Sequence, residues 1–165
     1  MADREKRYYI AYGSNLSVEQ MRHRTPDARI VGTAVLDGWQ LFFRQFATIR
    51  ENPAYRTPVL VWDISERDEA NLDRYEGFPS FYFKRELPVT VKPLTGGAPM
   101  SVTAMVYIMT EDCRRETVLP SRYYYDILRK GYETFGFDKR VLWRALADSS
   151  KEAGADLAFE RGDVF

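Results

Sequence analysis

Six runs rich in β-branched and aromatic residues, at positions 7–12, 29–36, 39–46, 58–64, 81–92 and 100–110, dominate this chain. Few segments with helical periodicity separate them. A sheet of that many strands with so little helix to cover it must close or fold over to bury both faces. The expected fold is therefore α+β, a small mixed β-barrel with flanking helices. The 165 residues suffice for one domain with a real core, whereas two would be cramped, so a single domain over 1–165 is expected.

Turn and cap chemistry orders these pieces. Asp37-Gly38 between two apolar runs predicts a hairpin, and Asn52-Pro53 predicts a turn after an extended stretch at 47–50. Gly96-Gly97 predicts a second hairpin between 81–92 and 100–110. A short helix is expected after Ser17, with Gln20 in the capping-box position. A second covers 66–75, between a Ser65 cap completed by Asp68 and a Gly77 stop. A third runs over about 122–135 behind Ser121, and a fourth over 138–148, where Val141, Leu142, Ala145 and Leu146 recur at helical spacing. The last fifteen residues are weakly patterned.

Charge and composition exclude several roles. Lysine and arginine total 24, matched by 24 aspartates and glutamates. That balance removes the usual electrostatic case for binding nucleic acid or an anionic membrane. No window approaches the roughly 18 uninterrupted apolar residues of a membrane span. The charged N-terminus lacks the apolar stretch of a secretory signal, so a cytoplasmic protein is expected. With one cysteine, Cys113, and one histidine, His23, neither an internal disulfide nor a Cys/His zinc site can form. No metal is expected unless carboxylates alone hold one.

Two segments could carry chemistry. In Tyr12-Gly13-Ser14-Asn15-Leu16 a strand ends and opens into a helix, which leaves backbone N–H groups facing outward. Such a turn can hold an anion or a developing oxyanion. It can equally be a plain turn that uses Gly and Asn for their tolerance of positive φ. In Leu72-Asp73-Arg74-Tyr75-Glu76-Gly77, Glu76 stands at the C-terminal end of a helix, where the dipole disfavours a carboxylate. There, among Tyr75, Phe78 and Phe81, its pKa should rise through the dipole and desolvation. The plainer reading is an exposed Glu paired with Arg74 or Arg85. A Ser14–His23–Asp27 triad lacks the Gly-x-Ser-x-Gly elbow, and Cys113 in its polar loop has no nearby His. Of Tyr123, Tyr124 and Tyr125, near a helix start, at least one must face inward.

Four segments together resemble one family. Tyr9-Ile-Ala-Tyr-Gly-Ser-Asn-Leu16, Leu72-Asp-Arg-Tyr-Glu-Gly77, Tyr107-Ile-Met-Thr110 and Pro120-Ser-Arg-Tyr-Tyr124 are similar, in order and near spacing, to the γ-glutamylcyclotransferase family. The likeness covers about 7–136 and leaves 138–165 as a C-terminal extension. It implies that family's small barrel with flanking helices and a reaction without metal or cofactor. The substrate's free α-amine attacks its own γ-carbonyl, forming 5-oxoproline and expelling an amine or amino acid. The family's catalytic Glu falls on Glu76. Its substrate loop falls on Tyr9, Ile10, Ala11, Tyr12, Gly13 and Ser14, with Asn15 beside them, and its later substrate-contacting Tyr falls on Tyr124, followed by Gly131 and Gly136. The glutathione-specific relatives carry Tyr-Gly-Ser-Leu followed by Trp. This chain has Asn15 there and no Trp nearby, which argues against glutathione.

That chemistry makes sense of the residues. One carboxyl group with a raised pKa can take a proton from the attacking amine and give one to the departing amine. Loop N–H groups near Gly13 and Ser14 can polarise the carbonyl. Walls from Tyr12, Tyr82 and Tyr124 can hold the chain curled. The expected partner is thus a small γ-glutamyl molecule, and an exposed aromatic patch would support a homodimer that no sequence feature locates. A non-catalytic binding module on the same barrel is the alternative, but a binder of anions gains nothing from a Glu in its pocket. A hydrolase using the Ser14 hydroxyl is a more distant one.

Overall fold

The computed structural model describes residues 6–114 and 118–154. Nine regular elements follow in order: β1 (Arg7–Ala11), α1 (Val18–Arg24), β2 (Arg29–Arg44), β3 (Phe46–Ile64), α2 (Glu66–Glu76), β4 (Tyr82–Pro93), β5 (Met100–Met109), α3 (Arg122–Phe135) and α4 (Lys139–Ala153). Short 3-10 turns at Ser14–Leu16 and Asp112–Arg114 join them. The strands form a closed barrel in the order β1-β3-β2-β4-β5. Closure runs through the parallel β1–β5 pair, Tyr8 opposite Ala104 and Tyr9 opposite Met105. The α+β barrel read from the sequence is therefore the fold.

The expected strands merge differently. Asp37-Gly38 makes no hairpin; β2 runs straight through it, and the register jumps between Asp37 and Trp39. Gly38 does adopt positive φ, 80°, but that conformation serves a bulge as well as a turn. Asn52-Pro53 likewise lies inside β3, within the residues looped out opposite that bulge, since Trp39 faces Glu51 and Asp37 faces Arg56. The chain reverses instead at Gln45, a non-glycine residue at φ 66° whose N–H is taken by the Val118 carbonyl. The second hairpin forms as expected, with Val91 opposite Met100.

Helix signals fared better. Ser65 and Asp68 form the full reciprocal box at the start of α2, and Gly77 ends it in the left-handed conformation at φ 63°. Ser17 caps α1 by accepting the Gln20 N–H at 3.2 Å, but the Gln20 side chain does not return the bond. Behind Asp138, α4 continues five residues past the expected end at 148. Its Ser149 hydroxyl, wholly buried, accepts the Phe43 N–H at 2.9 Å and ties the helix to β2. Of the weakly patterned end, 155–165 lie outside the described residues.

Two glycines bring elements together. A Cβ on Gly32 would stand 2.0 Å from the Lys92 carbonyl oxygen, where β2 meets β4 to complete the barrel. A Cβ on Gly131 would lie 2.6 Å from Leu16 Cβ, so only glycine lets α3 lie against the 3-10 turn after β1. Among the described residues no helix is long and apolar enough to cross a membrane.

Candidate active site

The end of β1 and the tip of the β2–β3 hairpin meet α3 and the end of α2 around a cavity of about 360 Å³. Its size suits a small molecule rather than a polymer. Of the residues singled out in the sequence, Tyr9, Ile10, Tyr12, Gly13, Ser14, Asn15, Glu76, Tyr82 and Tyr124 line it. Ala11 does not; its side chain is buried in the core. A larger hollow of about 860 Å³ opens beside β2 and β4, lined by Leu36, Trp39 and Leu87 among others, and shares none of these residues.

Backbone bonds in the turn after β1 run from Leu16 N–H to the Gly13 carbonyl and from Ser17 N–H to the Ser14 carbonyl, each 3.0 Å. The N–H groups of Gly13, Ser14 and Asn15 are left without a hydrogen-bond partner among the described residues. Gly13 has φ −121°, so positive φ is not why it is glycine. Space is. A Cβ there would meet Ala47 Cβ at 3.3 Å and the Tyr124 hydroxyl at 3.4 Å.

Ala47 organises the adjoining wall through its backbone. Its N–H donates to the Tyr124 hydroxyl at 3.0 Å, and its carbonyl accepts from the Tyr82 hydroxyl at 2.9 Å. With its oxygen already accepting one bond, Tyr124 retains its own O–H to donate. Tyr12 donates to the Tyr107 carbonyl at 2.6 Å. Phe46 packs edge-on to Tyr124 and Phe81. The three consecutive tyrosines split cleanly: Tyr125 is wholly buried, Tyr124 lines the cavity, and Tyr123 stands 79% exposed at its rim.

Glu76 is the last residue of α2. Its helix is held by Asp73, which accepts from the Tyr107 hydroxyl at 2.5 Å and pairs with Lys84 at 2.8 Å. Glu69 adds pairs with Arg7 at 2.6 Å and Lys84 at 2.9 Å. Glu76 itself makes no hydrogen bond or ion pair among the described residues. The bases that could have neutralised it are engaged elsewhere: Arg74 donates to Asn71, and Arg85 pairs with Glu51 at 3.0 Å. Burial pushes the Glu76 carboxyl up to about 7, and only the Arg24 charge pulls the other way. Desolvation thus accounts for the rise, and Glu76 in turn raises the pKa of Tyr9, Tyr12, Tyr82 and Tyr124.

Asn15 proves to be a brace. It is 3% exposed, donates to the Tyr9 hydroxyl at 2.9 Å, and accepts from Arg24 Nη1 at 2.8 Å. Arg24, which no sequence motif singles out, lines the cavity and stacks 3.4 Å from the Tyr75 ring centre. Its spacing from Gln20, four residues along α1, was the available signal, because it puts both on one face. The Ser14–His23–Asp27 triad does not assemble: Ser14 Oγ accepts from Arg24 at 3.4 Å, while Asp27 holds Ser65 and Arg67. Cys113 Sγ lies 4.0 Å from the Ser80 carbonyl and takes no part in the cavity.

Among the described residues such a cavity offers an unpaired carboxyl titrating near neutrality, a lining turn whose N–H groups have no partner, and aromatic walls. It is equipped to move protons and stabilise an oxyanion. The profile of the family described as "Gamma-glutamyl cyclotransferase, AIG2-like" matches residues 9–126. A gamma-glutamylcyclotransferase of Bos taurus is 30% identical over 146 residues, 81% of this chain and 74% of that protein. The Mus musculus gamma-glutamylcyclotransferase is 26% identical over 169 residues, 94% of this chain and 86% of its own length. A solved structure named gamma-glutamyl cyclotransferase superposes with a TM-score of 0.70 at 26% identity, covering 98% of this chain and 94% of its own. The chain belongs to the γ-glutamyl cyclotransferase, AIG2-like family and is a cyclotransferase enzyme.

Proposed function

We propose that this enzyme cyclises a γ-glutamyl amino acid or γ-glutamyl amine to 5-oxoproline, with Glu76 as general base and then general acid. The observation that carries the reading is Glu76 itself. It is a carboxyl without a partner among the described residues, pushed to about 7, in a cavity that the Gly13 turn also lines. At neutral pH it is divided between its two forms and can both accept and return a proton.

In this account the ionised Glu76 takes a proton from the substrate ammonium. The freed α-nitrogen then bonds to the γ-carbonyl carbon, and charge gathers on the carbonyl oxygen. N–H groups at Gly13, Ser14 and Asn15 receive that charge in this account. As the amide C–N bond breaks, Glu76 returns protons to the departing nitrogen; two pass in turn from the α-nitrogen to the leaving amine over the whole reaction. Nucleophile and electrophile share one molecule, so the aromatic walls contribute by holding the chain curled. The test is mass spectrometry for 5-oxoproline after incubation with γ-glutamyl amino acids, γ-glutamyl amines and glutathione. Product from a γ-glutamyl amino acid or amine is expected. Silence across the panel from folded protein would contradict the reading and favour a binding role.

A further inference from the structure

Next to the catalytic cavity lies a second hollow, of about 600 Å³, lined by Gln20, His23, Arg24, Asn71, Arg74 and Tyr75. Gln20, Arg24 and Tyr75 belong to the walls of both. Two arginines and the chain's one histidine face this outer space, and no acidic residue among the described residues lines it. On a protein with no net charge that is a local concentration of positive potential.

Cations near the C-termini of α1 and α2 also suit the helix dipoles, which is a sufficient reason for exposed Arg74. It does not account for Arg24. A dipole needs only a charge in solvent, whereas the Arg24 guanidinium is half-buried, stacked on Tyr75 and turned into the cavity wall beside Ser14 and Asn15. Its Nη1 is occupied by those two side chains. It has no carboxylate partner among the described residues, and its charge reaches Glu76. A guanidinium held this way presents a fork suited to a carboxylate.

We propose that the outer hollow binds an anionic departing group, with Arg24, His23 and Arg74 reading its carboxylates and so setting specificity. This rests on the cyclotransferase reading above. The γ-glutamyl end must lie inside for its amine to reach Glu76, so the amide points outward past Arg24. A departing amino acid carries its α-carboxylate two bonds from the amide nitrogen, where Arg24 can meet it. An acidic side chain adds a second carboxylate for His23 and Arg74. The preferred substrates are accordingly γ-glutamyl amino acids whose departing residue is itself acidic.

The experiment compares kcat/KM for γ-glutamyl-glutamate, γ-glutamyl-alanine and γ-glutamyl-ethylamine, whose departing groups carry two, one and no carboxylates. Wild type should prefer them in that order, by roughly threefold or more per carboxylate at low ionic strength, chiefly through KM, and salt should compress the series. Arg24→Gln and Arg74→Gln should each narrow the ratio between the first and last substrates, and Arg24→Lys should restore part of it. Arg74 is at the exposed rim, so its variant tests the charge without touching the loop brace. Equal kcat/KM for the three, or a uniform loss in the variants with no change of ratio, would overturn the proposal and leave the cyclotransferase reading standing. No 5-oxoproline from any of the three would overturn both.

Discussion

Gly13 leaves room for the Tyr124 hydroxyl, which stands 3.4 Å from where a Cβ on that glycine would be. The turn carrying the free N–H groups and the helix carrying the tyrosine thus lie close together, near enough for a Cβ on the glycine to touch the hydroxyl. Gly13→Ala would also set its methyl 3.3 Å from Ala47 Cβ, so the loop must shift by a few tenths of an ångström. Small displacements of positioned groups are costly to rate, and we expect kcat/KM to fall about tenfold or more with little change in melting temperature. Steady-state kinetics beside a thermal melt would check this; an unaltered kcat/KM would make the turn merely structural.

Tyr124→Phe removes the acceptor of the Ala47 N–H while keeping the ring against Phe46. Ala47 is 3% exposed, so a donor left without a partner there costs on the order of 1–3 kcal/mol in folding. The lost O–H should raise KM more than it lowers kcat. Urea melts and the kinetic split measure the two effects, and a variant matching wild type in both would remove the hydroxyl from the account.

Gly131→Ala would drive a methyl to 2.6 Å from Leu16 Cβ. Forcing that contact should destabilise the fold by about 1–3 kcal/mol, and α3 would carry Tyr124 away from the turn. Leu16→Gly in the same chain removes the Cβ in the way, so the double variant should lose less than the sum of the two single changes. A double-mutant cycle that shows strict additivity would contradict the close approach.

The pH dependence has two signatures from one group. Glu76 works first as a base, so kcat/KM should climb about tenfold per pH unit below its pKa near 7 and level off above it. For stability, the folded pKa lies above the unfolded value of 4.5, so the contribution is fully present below 4.5 and is lost as pH rises through about 7. Glu76→Gln should therefore be the more stable protein above pH 7, by up to about 3 kcal/mol, and should converge with wild type below pH 4.5. Denaturant titrations at several pH values would read that difference directly.

Much of the fold was legible because it rests on side-chain chemistry. Ser65, Asp68 and Gly77 announce both ends of α2, and those ends place Glu76. What escaped was carried by the backbone. Gly38 signals positive φ, but a bulge and a hairpin turn ask for the same angle, and the actual reversal falls on Gln45, a residue with no turn signature. In the site, Glu76 stood out because it opposes its helix dipole. Arg24 did not, since a cation in the last turn of α1 looks ordinary until the fold stacks it on Tyr75. Ala47 contributes only its peptide groups, which no side-chain pattern can report. Ala11 shares a sequence motif with its cavity-lining neighbours, yet in the fold it packs into the core.

The central claim is that the unpaired Glu76 carboxyl moves the protons of cyclisation. Its most direct test is 5-oxoproline formation from one accepted γ-glutamyl substrate by wild type and by Glu76→Gln, with substrate binding measured in parallel by calorimetry. Glutamine keeps the shape and cannot act as a base, so binding should persist while product formation falls by about a hundredfold or more. A Glu76→Gln protein that forms 5-oxoproline at the wild-type rate would contradict the account.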